Sequence, residues 1–253
     1  MKLSLVTTTF NSGKTVRDTL ESVLRQTFTD YEYIIIDGAS QDDTIAIVRE
    51  YELKFAGRLR WVSEPDGGIY DAMNKGLSMA KGEVLMLLNS DDMFSRPDVL
   101  SLVAGTFERS PEADGLYADL KYVSQHDTDK VVRVWKTGVQ RPFRQGWHPA
   151  HPTFYVRRSV YERYGYFNLK YGLAADFDLM LRFVERYQIR LVYLPEILVK
   201  MRLGGTTNRS LRNIIAQNRE CIAAFRDNGL PVGRFYAFYR LLPKIKEFFR
   251  TCE

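Results

Sequence analysis

The sequence predicts an α/β fold, a mostly parallel sheet flanked by helices, and three observations predict it. Short apolar runs alternate with helical stripes through the first hundred residues. Val84-Leu85-Met86-Leu87-Leu88 is apolar at every position, as a strand covered on both faces must be. A chain of 253 residues, 45% of them hydrophobic, can bury a large core without disulfides.

In chain order, Leu3–Thr9 reads as a strand stopped by Asn11-Ser12-Gly13. Val16, Leu20, Val23 and Leu24 then recur at helical spacing. Tyr33–Ile36 is a second strand, ended at Asp37-Gly38, and a helix follows from about Asp43. Leu59–Ser63 is a weaker strand, and Ile69–Lys81 a helix with Ala72, Met73 and Leu77 facing inward. Beyond residue 115 come the strand-like pieces Gly115–Leu120, Val131–Trp135 and Thr153–Arg157, interrupted by Pro142, Pro149 and Pro152. Asp176–Tyr187 is a helix, Leu191–Leu194 and Ile197–Arg202 two strands, and Ser210–Asp227 a long helix with Ile214, Ile215, Ile222 and Phe225 on its apolar side. No Gly/Ser-rich linker divides the chain. The expected organisation is one domain over residues 1–205, with halves 1–115 and 116–205, and a helical, basic extension over 206–253.

The two cysteines, Cys221 and Cys252, make no metal-ligand spacing and no disulfide framework, which suits a reducing compartment. Met1-Lys2 leads straight into a strand, so no signal peptide is expected, and no run of about 18 apolar residues could span a membrane. Charge is unevenly placed. Residues 200–253 hold 11 Lys/Arg against 4 Asp/Glu, whereas the first 199 hold 25 against 27.

Ligands of an open parallel sheet collect beyond the carboxyl ends of its strands. Asp37, Asp66 and the pair Asp91-Asp92 all fall at such ends. Each has an ordinary reading: Asp37 capping a turn with Gly38, and Asp91 or Asp92 capping a following helix. Three on one edge point instead to a diphosphate. A hard divalent cation, Mn2+ or Mg2+, needs only one or two protein carboxylates besides phosphate oxygens, and it stabilises a leaving diphosphate. His126, His148 and His151 lack the helical spacing of a zinc site. The first strand leads into Thr8-Thr9-Phe10-Asn11-Ser12-Gly13-Lys14, with neither G-x-G-x-x-G nor a P-loop, which sets aside dinucleotide and P-loop nucleotide chemistry.

Five stretches carry a resemblance: Val6–Asn11, Ile35–Thr44, Glu64–Gly76, Leu88–Asp92 and Ala175–Arg182. In order and spacing they closely resemble family 2 glycosyltransferases of the GT-A fold, a Rossmann-like arrangement, over residues 1–205. The chain looks like the subgroup that adds one sugar during bacterial capsule, exopolysaccharide or O-antigen assembly. The Q-x-x-R-W motif and membrane spans of the family's processive synthases do not occur. The resemblance implies an inverting enzyme, metal-dependent, moving one sugar from a nucleotide-sugar, UDP-linked by expectation, to a lipid-linked or free glycan acceptor.

The resemblance also implies roles. Asp37 would accept a hydrogen bond from the base, over a floor of Thr8 and Phe10, with Asp66 and Lys75 flanking the nucleoside. Asn89-Ser90-Asp91 stands at the D-x-D position, with Asp91 the metal ligand. Asn89 can bond a ribose hydroxyl but adds no charge, and Asp92 either backs the ligand or caps a helix, the cap being favoured. Asp176 would be the catalytic base, although Ala175 replaces the usual preceding Glu; Asp178 competes, and Asp176 could merely cap its helix. His151, less so His148, and Trp147 face the acceptor side in this reading, with structural roles as the alternative. From the residues themselves, Arg202 and Arg209 flank a glycine-bearing loop that would close over the diphosphate, with a solvated surface loop as the equal alternative.

Residues 233–250 mix aromatics with Arg234, Arg240, Lys244, Lys246 and Arg250, which suits an anionic membrane surface; a helix packed on the domain or a homodimer contact is the alternative. No nucleic-acid partner is expected. The location expected is cytoplasmic, peripheral on the inner face of the cell membrane. Two other functions compete: a nucleotidyltransferase, which would not need the Asp176 helix, and an inactive sugar-nucleotide-binding subunit of a synthase, to which Asn89 and Ala175 point.

Overall fold

The computed structural model describes residues 2–204, 211–233 and 236. In chain order the strands are β1 (Leu3–Thr9), β2 (Tyr31–Asp37), β3 (Leu59–Ser63), β4 (Val84–Leu87), β5 (Met93–Phe94), β6 (Gly115–Val123), β7 (Val131–Trp135), β8 (Tyr155–Arg157) and β9 (Leu191–Arg202). The helices are α1 (Val16–Leu24), α2 (Thr44–Glu52), α3 (Ile69–Met79), α4 (Val99–Arg109), α5 (Arg158–Tyr164), α6 (Ala175–Leu181) and α7 (Leu211–Asp227).

One sheet runs β3-β2-β1-β4-β8-β6-β9-β5, with β7 beside β6. The first four strands are parallel. β8 is antiparallel to both β4 and β6, and β6 pairs with β9 in parallel along its whole length. Side chains of a strand alternate between faces, and the two core clusters follow that period. Val6, Ile34, Ile36, Leu85 and Leu87 pack under α3, α5, α6 and α7. Leu5, Tyr33, Ile35, Met86 and Leu88 pack under α1, α2 and α4. Each face therefore has its own helical cover, the arrangement that continuous apolar strands require.

Several expectations are revised. The favoured reading of Asp92 as a helix cap fails, because the two-residue strand β5 follows it, antiparallel to β9. The next helix, α4, begins only at Val99 and was not anticipated, nor was α5. The two pieces at 191–194 and 197–202 are one strand: the register jumps from Leu194 to Ile197, so Pro195-Glu196 bulges out. Proline has no N–H for the ladder, and a bulge lets the strand continue around it. On α7, Ile215 is 54% exposed, while Cys221, Ala224 and Phe225 are buried.

Helix α7 packs on the domain. Phe225 lies 5.8 Å from Phe177 of α6, and the Asn228 amide donates to buried Asp178 at 2.9 Å. Tyr236 is buried in the same cluster. The rest of the predicted membrane-facing tail beyond Gly233, and Arg209 with its loop, lie outside the described residues. Among the described residues no helix is long and apolar enough to cross a membrane.

Candidate active site

The register of β1, β2 and β3 lines up Thr9, Asp37 and Ser63 as one row across three strand ends. Asp37 stands in the middle, fully buried. Its Oδ1 accepts from Thr9 Oγ1 (2.8 Å) and Ser40 Oγ (2.5 Å), and its Oδ2 from Ser40 N–H (2.9 Å) and Ser63 Oγ (2.7 Å). Burial pushes the Asp37 carboxyl up, but these four donors outweigh it and hold it below its ordinary range. The carboxylate predicted to read the base thus has both oxygens occupied within the protein.

Beside it the surface opens. Phe10 is 65% exposed, and a Cβ on Gly38 would fall 2.7 Å from Asp66 Oδ2 and 3.3 Å from the Phe10 ring. Only glycine lets these two side chains meet over that backbone. Asp66 Oδ1 takes the Gly68 N–H at 2.8 Å, which starts α3. Lys75 turns back along the same rim, to Glu64 (2.9 Å) and the Pro65 carbonyl (3.0 Å). Thr8 is nearly buried, with its hydroxyl unpartnered. Phe10, Gly38, Asp66 and Lys75 therefore share one rim.

The loop after β4 is tied to the loop after β1 by Ser12 Oγ and Ser90 Oγ, 2.8 Å apart. Thr19 of α1 holds the Asp92 carbonyl at 2.7 Å. Asp92 is buried; its Oδ2 accepts from the Asn89 amide at 3.1 Å, and its Oδ1 has no partner. Burial and the neighbouring Asp91 push the Asp92 carboxyl well above its ordinary range. Burial also pushes Asp91 up, against the opposing charge of Arg202. The Asn89 amide, predicted to meet a ribose, is turned to Asp92.

Arg202 ends β9 and does not sit on a mobile loop. Its guanidinium donates to the Asp91 carbonyl (3.2 Å) and the Gln125 carbonyl (3.0 Å) and pairs with Asp18, leaving 7% of the residue exposed. It braces the Asp91 loop from behind, which corrects the expectation of an arm closing over a diphosphate. Asp18 and Gln125 escaped the sequence reading because their partner lies 184 and 77 residues away along the chain.

Asp176 lies in the first turn of α6, half-buried. Its Oδ1 accepts from the Phe177 N–H (2.8 Å) and from the Tyr70 hydroxyl of α3 (3.2 Å). Its competitor Asp178 points the other way, buried onto Asn228. His151 is edge-on to Phe167; its Nε2 is shut off from solvent without a partner. Burial lowers its pKa, against the pull of the Asp176 charge. Trp147 is a core residue, donating to the Thr137 carbonyl at 2.9 Å and packed edge-on to Tyr117 and Phe143, so the sugar-stacking expectation is withdrawn. His148 packs edge-on against Trp135 and Phe177. Two surface hollows of about 440 and 240 Å³ contain none of the predicted site residues. Tyr70, inside a stretch already singled out, is the site residue that the sequence reading passed over.

The donor set can be weighed for a cation. Among the described residues no three His, Cys, Asp or Glu side chains gather, so a metal would have to complete its shell from phosphate and water. Asp91 takes no hydrogen bond from another described residue, and Asp92 behind it keeps an orphaned oxygen. Two adjacent carboxylates, Asp92 buried and Asp91 half-buried, face the single charge of Arg202, and an oxygen-seeking divalent ion fits them.

Comparison with known proteins bears on the family and the fold. The profile described as glycosyl transferase family 2 matches residues 4–165. A PGL/p-HBAD biosynthesis glycosyltransferase of Mycobacterium tuberculosis is 27% identical over 213 residues, 81% of this chain and 78% of the relative. S. aureus TarS in complex with UDP-GlcNAc superposes with a TM-score of 0.67 at 19% identity, over 99% of this chain and 74% of that one. The chain spans 44% of a longer TarS structure. A mannosyltransferase from Pyrobaculum calidifontis, in complex with GDP-Man and Mn2+, superposes with a TM-score of 0.66 at 16% identity, over 98% of this chain and 70% of that one. The architecture is the expected GT-A arrangement, and the chain belongs to glycosyl transferase family 2.

Proposed function

We propose that the protein moves a single sugar, with inversion, from a UDP-sugar to a glycan acceptor carried on a polyprenyl diphosphate, in bacterial surface polysaccharide synthesis. The observation that carries this reading is the Asp91-Asp92 pair. Both carboxylates are pushed up by burial, Asp91 is unpartnered among the described residues, and Arg202 braces their loop from behind. Arg202, the cation that opposes them, is already paired with Asp18, so a further positive charge on the open side would be favourable. The titles of the compared structures name UDP-GlcNAc, GDP-Man and Mn2+ as bound partners of those proteins, which supports a nucleotide-sugar and a divalent ion here.

In this reading residues 1–115 hold the donor and 116–205 the acceptor. Asp91 would hold the ion, which when bound neutralises the charge that develops on the departing diphosphate. Phe10 offers its exposed ring to the base, with Asp66 beside it. Thr8 lines the floor and Lys75 the rim, as assigned from the sequence, while Asp37 acts mainly by fixing the strand ends. Asp176 accepts the acceptor hydroxyl's proton as that oxygen attacks the anomeric carbon. His151, on the Asp176 side, is the acceptor-facing residue in reserve.

The test is release of UDP from UDP-glucose, UDP-galactose and UDP-N-acetylglucosamine by the full chain, with Mn2+ and with a chelator. Slow, Mn2+-dependent release, lost in Asp91→Asn, is expected. UDP binding without any turnover would instead identify a sugar-nucleotide-binding subunit.

A further inference from the structure

Helix α3 has three working faces. Ala72, Met73, Gly76 and Leu77 face the sheet, and a Cβ on Gly76 would lie 2.3 Å from Val6 Cγ1, so the helix rests on β1 at backbone distance. Lys75 turns outward to Glu64. Tyr70 and Asn74, four residues apart and so on one face, both reach across to the acceptor half. The Asn74 amide grips the Phe167 backbone in both directions, donating to its carbonyl and accepting its N–H, each at 2.9 Å. Phe167 in turn packs on the Tyr70 ring, with centroids 5.4 Å apart. The Tyr70 hydroxyl meets Asp176 Oδ1 at 3.2 Å, the oxygen that also takes the Phe177 N–H. No described residue donates to Asp176 Oδ2. Burial and the Asp176 charge push the Tyr70 phenol far up, so it stays a protonated donor at any working pH.

We propose that Tyr70, braced by Asn74 through Phe167, is a positioning residue that pins Asp176 by Oδ1 and leaves Oδ2 as the oxygen that receives the acceptor's proton. This rests on the reading of Asp176 as the base. In the step served, the acceptor oxygen bonds the anomeric carbon and the bond from that carbon to the diphosphate oxygen breaks. Its electron pair leaves with the diphosphate, the hydroxyl proton passes to Asp176 Oδ2, and Tyr70 keeps its own proton.

The experiment compares full-length wild type, Tyr70→Phe, Asp176→Asn and the double variant. Each is assayed for UDP release from a UDP-sugar with Mn2+, for UDP affinity by calorimetry, and for Tm. Tyr70→Phe should lower kcat about tenfold, the loss expected for a hydrogen bond to a charged group, with KM for the donor, UDP affinity and Tm unchanged. In the Asp176→Asn background it should have no further effect on the residual rate, because the two residues act as one unit. Wild-type kcat in Tyr70→Phe beside an inactive Asp176→Asn overturns the proposal and spares the base. A kcat loss accompanied by weaker UDP binding or a lower Tm also overturns it, since Tyr70 would then be a packing residue. Near wild-type turnover in Asp176→Asn overturns the base reading itself.

Discussion

Asp37 concentrates the chemistry of three strand ends in one carboxylate, and its replacement by Ala should be severe. The change leaves the hydroxyls of Thr9, Ser40 and Ser63 and the Ser40 N–H without their acceptor, Thr9 in a buried place and the serines nearer the surface. A loss of roughly 3 kcal/mol is expected, read as a lower urea midpoint. Acid should act on the same group. Its folded pKa is depressed, so its contribution is complete above the unfolded value of about 4 and disappears as pH falls through the folded value. The urea midpoint should therefore drop between pH 5 and pH 3 more in the wild type than in Asp37→Ala; equal drops would contradict this. That Asp37 mattered was legible from its place after an apolar strand. That it is satisfied from within was not, because Ser63 joins it only through the β2–β3 register.

Among the elements, α3 sets the distance between the rim at Asp66 and the carboxylate at Asp176. Its seat depends on Gly76, where a methyl would collide with Val6. Gly76→Ala should cost about 2 kcal/mol by overpacking, although alanine is the better helix former. A Tm equal to wild type would show that β1 yields easily. The boundaries of β1, β3 and α3 were close to those read from periodicity, since each is a local pattern with a clear stop. Helix α4 was missed although Val99, Leu100, Val103 and Phe107 recur at helical spacing, so that signal was present in the sequence. β5 carries no such signal: two residues become a strand only because β9 lies alongside.

Across the whole molecule, two layers of helices fix the sheet so that its carboxyl edge gathers residues far apart in the chain. Family and fold were legible because the motifs are short and sequential. The duties of Arg202 and Trp147 were not, because both depend on long-range packing. We propose that the basic segment beyond Tyr236 docks the protein on an anionic membrane. Tyr236 is buried in the core, so the truncation is made beyond it. Deleting residues 237–253 should leave Tm nearly unchanged and reduce sedimentation with vesicles rich in phosphatidylglycerol, and equal partitioning would contradict the proposal.

The central claim joins a donor site at Asp91 to a proton acceptor at Asp176, and Asp176→Asn tests it most directly. With Mn2+ and a UDP-sugar, the variant is expected to lose UDP release while binding UDP as tightly as wild type. Release at near wild-type rate would contradict the account.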